Sequence, residues 1–357
     1  MKAIVIEEHG GPEVLRYKDM PDPVPGDGDV VIQVHALTVN PGPDVMTREG
    51  TFGRPGFSLP HIGGSDPAGV VVAVGDDVTG SAVGDRVVAH GILACAECSL
   101  CRRYDGQYCR NWRLWGAETW GGRAEYARIP ATNVVSLPDS VSFEAAACLG
   151  VSYVTSWHGV VSAGKITSDD TLLVVGGAGG CGVAAIQIGV LYGAKVIVLS
   201  TAEWKRERAL ELGAAHAFDT NDPRWADRVR EVTDGFGVSL AFDNVGEASW
   251  PKTLSCLDRG ARFVCSGTTT GPNMSFDTRS VYRDMISMHF YANGSRADLE
   301  ALVGHVASGA IKPVIDSRFP LSNTADAERK LASQQHFGKI ILQTPVGAGG
   351  SASPYRP

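Results

Sequence analysis

The chain has 357 residues, 44% of them hydrophobic and 20% charged, a balance typical of a globular protein and far from that of a disordered one. A single core rarely grows beyond ~250–300 residues, so this length predicts about two domains. The formal net charge of −7 and the lack of a basic stripe argue against a nucleic-acid surface.

The sequence also bears on the compartment. No apolar run approaches the ~18 residues that a membrane span needs. The stretch from Met1 to Glu8 turns acidic after Lys2 and does not resemble a secretory leader. We therefore expect a cytoplasmic protein that contacts no membrane. In that compartment the eight cysteines are expected to be thiols or metal ligands and not disulfides.

Short predicted strands fill the first part of the chain, with turn clusters rich in Pro, Gly and Asp between them. We expect these strands at residues 1–7, 30–38, 68–75, 86–90 and 124–129. Many short strands at this spacing favour an all-β barrel or sandwich.

The pattern becomes helical near residue 142, and from residue 171 strands alternate with helices. Strands are expected at 171–175, 195–200, 217–218, 239–242, 262–265 and 287–291, with a helix at 183–192. This alternation predicts a doubly wound parallel sheet. A helix at 297–308 and a strand at 339–342 are expected to return to the first domain, and the tail from Val346, rich in Gly, Ser and Pro, to fray.

The turn after the strand at 171–175 reads Gly177-Ala178-Gly179-Gly180-Cys181-Gly182 and fits G-x-G-x-x-G. A sharp strand-to-helix turn, a phosphate against the backbone and close helix packing each require a missing side chain. The following helix offers free N–H groups and a positive dipole end to a pyrophosphate. In this context the motif favours dinucleotide binding over a merely structural glycine turn.

A second motif consists of four cysteines within fifteen residues: Cys95, Cys98, Cys101 and Cys109. Four thiolates at this spacing match a closed tetrahedral zinc site that leaves no position for substrate. An iron–sulfur cluster also takes sulfur ligands, and four independently buried cysteines are a further alternative. The remaining cysteines are expected to be core thiols: Cys148, Cys181, Cys256 and Cys265.

A β-rich first domain with this cysteine lobe, followed by this glycine turn, resembles the medium-chain dehydrogenase/reductase superfamily. Other stretches extend the match over almost the whole chain, the first two of them similar to the quinone-oxidoreductase branch: residues 31–50, 63–75, 121–129, 242–246, 266–271 and 337–342. The resemblance implies a GroES-like β-barrel catalytic domain over 1–127 and 292–357 with the zinc lobe at 95–109, and a Rossmann nucleotide-binding domain over 128–291. It also implies cofactor contacts from Val245, Ser266 and Gly267.

Zinc alcohol dehydrogenases of this superfamily hold a second, catalytic zinc through a Cys, a His-Glu pair and another Cys. Here the corresponding places hold Asn40 or Pro41, then Ser65-Asp66, then Val151. These residues lack the thiolate and imidazole donors that a tight zinc site needs, so a catalytic zinc is not expected. The candidates that remain for an unusual ligand set are His61, Asp66, Asp44 and Cys148.

Without a Lewis acid, the resemblance implies hydride transfer to a quinone or an α,β-unsaturated carbonyl, whose product anion is stabilised by its own delocalisation. Asn40 is the first candidate for a polar group near the nicotinamide and Thr155 the second, although either could be a capping or turn residue. The alternatives are an alcohol or aldehyde dehydrogenase with an atypical catalytic metal, and a catalytically silent NADPH-binding redox sensor.

Two departures from the family pattern concern this site. The stretch from Asn40 to Asp44 is one residue longer than the usual Asn-Pro-x-Asp, so the loop is expected to be reshaped. The tyrosine that some enoyl reductases use as proton donor would fall near Met46, which cannot donate.

Cofactor choice depends on the end of the second nucleotide-fold strand, where NAD-preferring proteins place an acidic residue. Here Ser200 and Thr201 stand at that end, and Lys205 and Arg206 follow. Hydroxyls and cations suit a 2′-phosphate, so we expect NADPH over NADH, although a solvated helix face would look the same and Glu203 lies nearby. The resemblance also implies a homodimer paired through the edge strand at 287–291.

Overall fold

The structure is a computed structural model that describes residues 1–52, 58–351 and 353–356. The chain forms two compact units, the first comprising Met1–Ser152 and Ser295–Pro357 and the second Tyr153–Gly294. The strands are β1 (Lys2–Ile6), β2 (Leu15–Asp19), β3 (Asp29–Thr38), β4 (Ala68–Val74), β5 (Arg86–Ala89), β6 (Ile92–Leu93), β7 (Arg113–Leu114), β8 (Tyr126–Pro130), β9 (Val134–Ser136), β10 (Thr171–Val175), β11 (Lys195–Ser200), β12 (His216–Asp219), β13 (Val238–Asp243), β14 (Leu257–Cys265), β15 (Ser287–Phe290), β16 (Ile315–Pro320) and β17 (Lys339–Gln343).

Most helices are short. They are α1 (Thr47–Glu49), α2 (Ser99–Arg103), α3 (Phe143–Cys148), α4 (Val154–Trp157), α5 (Gly180–Leu191), α6 (Glu203–Glu211), α7 (Trp225–Glu231), α8 (Trp250–Ser255), α9 (Thr278–Arg283), α10 (Arg296–Ala307) and α11 (Thr324–Ala332). Three π-helical turns occur in addition, at Pro41–Met46, Leu149–Tyr153 and His158–Ala163, among the residues that the structure describes. Within the same ranges, no helix is both long and apolar enough to cross a membrane.

The first unit is built on a mainly antiparallel sheet of order β16-β17-β3-β4-β5-β9, with β8 also paired to β3. Its core consists of apolar side chains from these strands, including Val30, Ile32 and Val34 of β3. β17 comes from the C-terminal segment and lies antiparallel to β3, with Leu342 opposite Leu37. The C-terminal return therefore completes the main sheet of the first unit.

The second unit contains a parallel sheet of order β12-β11-β10-β13-β14-β15. β10 and β11 are almost entirely apolar and buried, as expected of strands covered by helices on both faces. Both strands have the bounds that the sequence predicts. The doubly wound parallel sheet is confirmed, and so is its combination with a β-rich GroES-like domain.

Both domain boundaries fall later in the chain than predicted, at 152/153 and 294/295 in place of 127/128 and 291/292. Residues 128–152 fold with the first unit because β8 pairs with β3 and β9 pairs with β5. The predicted boundary would cut through β8. The three-residue strand β9 was missed because so short an apolar run has no readable period.

The C-terminal tail also differs from the prediction that it frays. The Tyr355 hydroxyl donates a hydrogen bond to the Pro23 carbonyl oxygen at 2.7 Å, and the Arg356 N–H donates to the Asp22 carboxylate at 2.8 Å. The Tyr355 ring lies 5.1 Å from the Tyr126 ring. Contacts of Tyr355 and Arg356 therefore hold the described end of a tail whose average composition is typical of a flexible segment.

Close approach of β3 and β4 depends on Gly69, since a Cβ at this position would lie 1.9 Å from the Gln33 carbonyl oxygen. We expect Gly69→Ala to lower the free energy of unfolding by about 1–3 kcal/mol through overpacking. The control is Gly304→Ala in α10, where an added Cβ meets no atom within 4 Å, and which should stabilise by about 0.5–1 kcal/mol. Thermal unfolding followed by circular dichroism measures both; equal midpoints for the two variants would contradict the packing described.

Candidate functional site

The glycine-rich turn joins β10 to α5 in the second unit. A Cβ on Gly177 would lie 2.2 Å from Val198 Cγ1, and a Cβ on Gly182 would lie 2.3 Å from the Gly176 carbonyl oxygen. Gly176 itself has φ +78°, which favours glycine. Close contacts therefore exclude a side chain at Gly177 and Gly182, and the backbone conformation disfavours one at Gly176.

At Gly179, in contrast, the surrounding protein does not exclude a side chain. A Cβ there would have only the Gly176 carbonyl oxygen near it, at 4.0 Å, so the space in front of this residue is open. Gly179 is the N-cap of α5, and the first turn of the helix, which begins with Gly180 and Cys181, contains no acidic residue. An open cradle at a helix N-terminus fits the pyrophosphate of a dinucleotide.

The other predicted cofactor residues follow the carboxyl ends of neighbouring strands. Thr201 follows β11, Val245 follows β13, and Ser266 and Gly267 follow β14. In this parallel sheet β11 and β13 flank β10 and β14 lies beyond β13, so all of these residues lie at the same sheet edge as the glycine turn. The structure thus brings the predicted nucleotide residues together.

A buried carboxylate that the sequence analysis did not single out fixes this edge. Asp243 accepts hydrogen bonds from the Val245 N–H at 2.8 Å and from the Ser249 hydroxyl at 2.8 Å. Next to it, the Asn244 side-chain oxygen accepts from the Ser266 N–H at 2.8 Å. These contacts join the loops after β13 and β14. The sequence FDNVG could have indicated this role, because it places polar residues directly at the end of an apolar strand.

The two cations predicted to bind the 2′-phosphate, Lys205 and Arg206, lie in different surroundings. Arg206 Nη1 donates to the carbonyl oxygens of Ser200 at 3.2 Å and Thr201 at 2.9 Å, and lies 3.5 Å from Asp219 Oδ2. Lys205 is buried, with its Nζ 5.4 Å from the centroid of the neighbouring Trp204 ring. The structure therefore places the Arg206 guanidinium at the end of β11.

The four predicted metal-binding cysteines converge in the first unit, with all four Sγ atoms within 4.8 Å of one another. Cys98 and Cys101 Sγ lie 3.5 Å apart, Cys95 and Cys109 Sγ 3.5 Å, and Cys95 and Cys101 Sγ 3.9 Å. A tetrahedral site with zinc–sulfur distances of ~2.3 Å requires sulfurs ~3.8 Å apart. This arrangement fits one zinc ion and excludes four independently buried cysteines.

The surroundings of the cluster affect its thiols unequally. The N–H groups of Arg110 and Cys101 lower the pKa of Cys98 to about 6. Burial and hydrogen bonds to the other sulfurs raise the pKa of Cys101 to about 12. Four thiolates so close together repel one another, and a divalent cation would offset that repulsion.

Asn40 lies in the first unit and is 1% exposed. Its Nδ2 donates to Asp66 Oδ2 at 2.9 Å and to Asp44 Oδ2 at 3.2 Å, and its Oδ1 accepts from Lys339 Nζ at 2.6 Å and from the Ser152 hydroxyl at 3.4 Å. We call these five residues the Asn40 network. Both ends of the carboxamide are engaged, so Asn40 orients its neighbours and has no spare donor for a substrate.

After Asn40 the chain forms the π-helical turn Pro41–Met46. In this turn the Val45 N–H donates to the Asn40 carbonyl oxygen, five residues earlier, at 3.3 Å. A hydrogen bond between residues five apart is the mark of a π-helix. The turn also brings the Asp44 carboxylate to the Asn40 N–H at 2.8 Å.

A buried ion cluster adjoins the network at Asp44. Glu328 accepts from Arg48 Nε and from Arg123 Nη1, each at 2.6 Å, and Arg123 Nη2 lies 3.6 Å from Asp44 Oδ2. Burial raises the pKa of Asp44 to about 6, although Arg123 acts in the opposite direction. Burial of Asp44 therefore favours its neutral form relative to an exposed carboxyl group.

The residues considered for an unusual catalytic metal site do not form one ligand set. Burial lowers the pKa of His61 to about 4, and its Nε2 lies 3.4 Å from the Gly116 carbonyl oxygen. Burial also raises the pKa of Cys148 to about 12. In the described part of the chain, the cysteine cluster is the one place where three or more His, Cys, Asp or Glu ligand atoms converge.

Thr155, the second predicted catalytic residue, lies in α4 of the second unit. Its hydroxyl lies 3.4 Å from the Asn293 side-chain oxygen, and its carbonyl oxygen accepts a hydrogen bond from the Tyr291 hydroxyl at 2.9 Å. Thr155 and Asn40 therefore belong to different units.

Comparison with known proteins places these features in one family. Residues 26–139 match the alcohol dehydrogenase GroES-like domain, and residues 212–342 match the zinc-binding dehydrogenase family. The quinone oxidoreductase of Homo sapiens is 29% identical over 348 residues, which cover 96% of this chain and 97% of that protein. A zinc-type alcohol dehydrogenase-like protein of Schizosaccharomyces pombe is 29% identical over 356 residues, covering 96% and 99%.

Solved structures agree with this placement. A crystal structure described as an NAD-dependent alcohol dehydrogenase is 34% identical, with a TM-score of 0.91 over 96% of this chain and 99% of that one. With this similarity over nearly the full length of both chains, the protein belongs to the medium-chain dehydrogenase/reductase superfamily and is an oxidoreductase.

Proposed function

We propose that the enzyme transfers hydride from NADPH to a quinone or an α,β-unsaturated carbonyl without a catalytic zinc. The proposal rests on the residues that stand where zinc alcohol dehydrogenases have their catalytic zinc ligands. These positions hold Asn40 or Pro41, then Ser65 and Val151, and the Asn40 carboxamide is already engaged with Lys339 and Asp66. An amide, a hydroxyl and an alkyl group do not provide the donors of a tight zinc site. Similarity to quinone oxidoreductases along the whole chain supports the same substrate class.

Bound NADPH supplies the hydride. The chain binds and orients the nucleotide: the open cradle at Gly179 and the N-terminus of α5 take the pyrophosphate, and the Arg206 guanidinium takes the 2′-phosphate. Hydride addition to a conjugated acceptor leaves a delocalised anion, so the protein needs alignment and hydrogen-bond donors more than a strong Lewis acid.

We further propose one structural zinc in the cysteine cluster and a homodimer. The four sulfurs have the separations that a tetrahedral zinc requires. For the dimer, β15 is an edge strand of the parallel sheet. Its Phe290 is 62% exposed, and nearby Tyr282 and Met285 are 63% and 57% exposed. An unpaired apolar edge of this kind favours pairing with a second copy. None of the eight cysteines, all of which the structure describes, forms a disulfide, which suits a reducing cytoplasm.

The reaction class is tested by a substrate panel. We expect the purified protein to reduce quinones and enones with NADPH and to leave simple alcohols unoxidised with NADP⁺, because a conjugated acceptor stabilises its own product anion. Absorbance of NADPH measures turnover. Alcohol oxidation that rises with added zinc would contradict the proposal and favour the dehydrogenase with an atypical metal site, and a complete lack of turnover would favour the silent sensor.

The cofactor preference is tested at Arg206. Removal of a charge-assisted hydrogen bond to the 2′-phosphate in Arg206→Ala should raise the KM for NADPH about 10- to 100-fold, with little change in the KM for NADH. Arg208→Ala, an exposed cation on the same helix, is the matched control. An equal effect of Arg206→Ala on both cofactors would mean that this guanidinium supports the strand end and does not read the phosphate.

The structural zinc is tested by removing one ligand. Cys98→Ser should lower the metal content from one zinc per chain to near zero and lower the unfolding temperature, because four-coordinate zinc contributes folding free energy. Cys256→Ser, a thiol outside the cluster, should keep the zinc. Mass spectrometry of the metals measures both. Bound iron in the wild-type protein would point to an iron–sulfur cluster instead.

A further inference from the structure

Asp243 is the last residue of β13 and is fully buried. Besides the Val245 N–H and the Ser249 hydroxyl, the Gly246 N–H at 3.2 Å and the Thr253 hydroxyl at 2.9 Å donate to its carboxylate. Among the residues that the structure describes, no side-chain nitrogen of Lys, Arg or His lies within 4.0 Å of its oxygens, the limit for an ion pair. Asp243 is thus a buried carboxylate that has only neutral donors as direct partners.

The hydrogen bonds of Asp243 do not by themselves require a charge. An asparagine oxygen would accept from the same backbone N–H groups, as it does at the start of many helices. Burying a charge is costly unless a cation or several hydrogen bonds compensate it, and Asp170, another buried carboxylate of this unit, pairs directly with Arg262. A carboxylate at position 243 therefore adds a negative potential that its structural role does not need.

This potential extends to the next strand of the sheet. Cys265 is the last residue of β14 and directly precedes Ser266 and Gly267, two of the predicted cofactor residues. Burial raises the pKa of the Cys265 thiol, and the negative charge of Asp243 adds to this rise. The charge thus acts on the point where the predicted cofactor loop after β14 begins.

The order of the strands indicates which half of a dinucleotide faces Asp243. The pyrophosphate is the middle of the molecule and fits the open cradle at Gly179, after β10. The 2′-phosphate belongs to the adenosine half, which we assign to Arg206 at the end of β11. Since β11 and β13 flank β10 on opposite sides, the nicotinamide half extends over the ends of β13 and β14.

We propose that the Asp243 carboxylate makes the nucleotide site favour the oxidised, cationic nicotinamide and thereby promotes departure of the hydride. This inference rests on the proposed function and adds a charge that acts on the hydride donor. The ring of NADPH is neutral and that of NADP⁺ carries one positive charge, so a nearby negative charge stabilises NADP⁺ and the transition state that leads to it. The carboxylate acts through its field and touches neither ring nor acceptor.

The electrons and protons of the step balance. The C–H bond of the reduced ring breaks and both of its electrons leave with the hydride, so the ring gains one positive charge. The acceptor takes the hydride and then one proton from solvent. The net reaction consumes one NADPH and one proton and yields the reduced acceptor and NADP⁺.

The test is Asp243→Asn, which keeps the shape of the side chain and an oxygen for the Val245 N–H and removes the charge. Isothermal titration calorimetry without an acceptor gives the Kd of NADP⁺ and the Kd of NADPH separately. We expect the ratio of the Kd of NADP⁺ to that of NADPH to rise about 10-fold, the order of effect of one charge at ~10 Å and an effective dielectric constant of ~20. Hydride transfer should slow for quinones and enones alike, because the change is on the donor.

Two further variants separate the charge from the packing. Asp170→Asn is the matched control: it makes the same substitution in a carboxylate that is 6% exposed and directly precedes β10, at the opposite edge of the sheet. It should keep the wild-type ratio even though loss of its pairing with Arg262 lowers the unfolding temperature. Asp243→Glu keeps the charge, so its ratio should lie closer to that of the wild type than the ratio of Asp243→Asn.

The outcomes distinguish this inference from the proposed function. If Asp243→Asn raises both Kd values equally, or loses only thermal stability, Asp243 is structural and the proposed function stands. If the wild type binds both nucleotides but reduces no quinone or enone, the proposed function fails while the Kd ratio still decides this inference; binding of neither nucleotide contradicts both. If Asp243→Asn does not fold, Asp243→Ser is measured by the same ratio, and if that variant does not fold either, the carboxylate is required for the fold and the proposal is overturned.

Discussion

The Asn40 carboxamide connects groups that would be costly to bury separately. Its oxygen accepts from the Lys339 ammonium and its nitrogen donates to Asp66 and Asp44, so one neutral group mediates between opposite charges. The carboxamide has an acceptor at one end and donors at the other, so its oxygen faces the ammonium and its nitrogen faces the carboxylates. The orientation of the remaining side chains of the network follows from this one group.

This connection depends on distant parts of the chain. Asn40 and Lys339 are 299 residues apart in sequence, and only the antiparallel pairing of β17 with β3 brings them together. Asp44 reaches the network through the π-helical turn after Asn40. Burial raises its pKa above the ordinary value to about 6, so Asp44 contributes stability that is present below pH ~4 and is lost as the pH rises through 6. The geometry of the network is thus maintained at a cost at neutral pH.

The sequence predicts features that depend on local spacing better than features that depend on distant contacts. β10 and β11 have the predicted bounds, and the glycine turn and the four cysteines form the predicted local geometries. Each of these is encoded by residue types within a few positions of one another. The role of Asn40 was not readable, because three of its partners, Asp66, Ser152 and Lys339, lie in separate, distant segments of the chain. The burial of Lys339 could not be predicted either, because a single charged residue before an apolar run is also typical of the solvent-exposed end of a strand.

The two units also differ in how they constrain their sites. At the nucleotide edge the requirement is mostly a missing side chain, as at Gly177 and Gly182, and any sequence with glycine there satisfies it. In the first unit the requirement is a set of matched charges and hydrogen bonds, and the loss of one member leaves the others uncompensated. In a fold with these two separate requirements, the nucleotide edge can stay the same while the charged and hydrogen-bonded residues of the first unit change. The presence of both quinone oxidoreductases and alcohol dehydrogenases among the relatives is consistent with this division, because one fold supports several chemistries through replacement of its site residues.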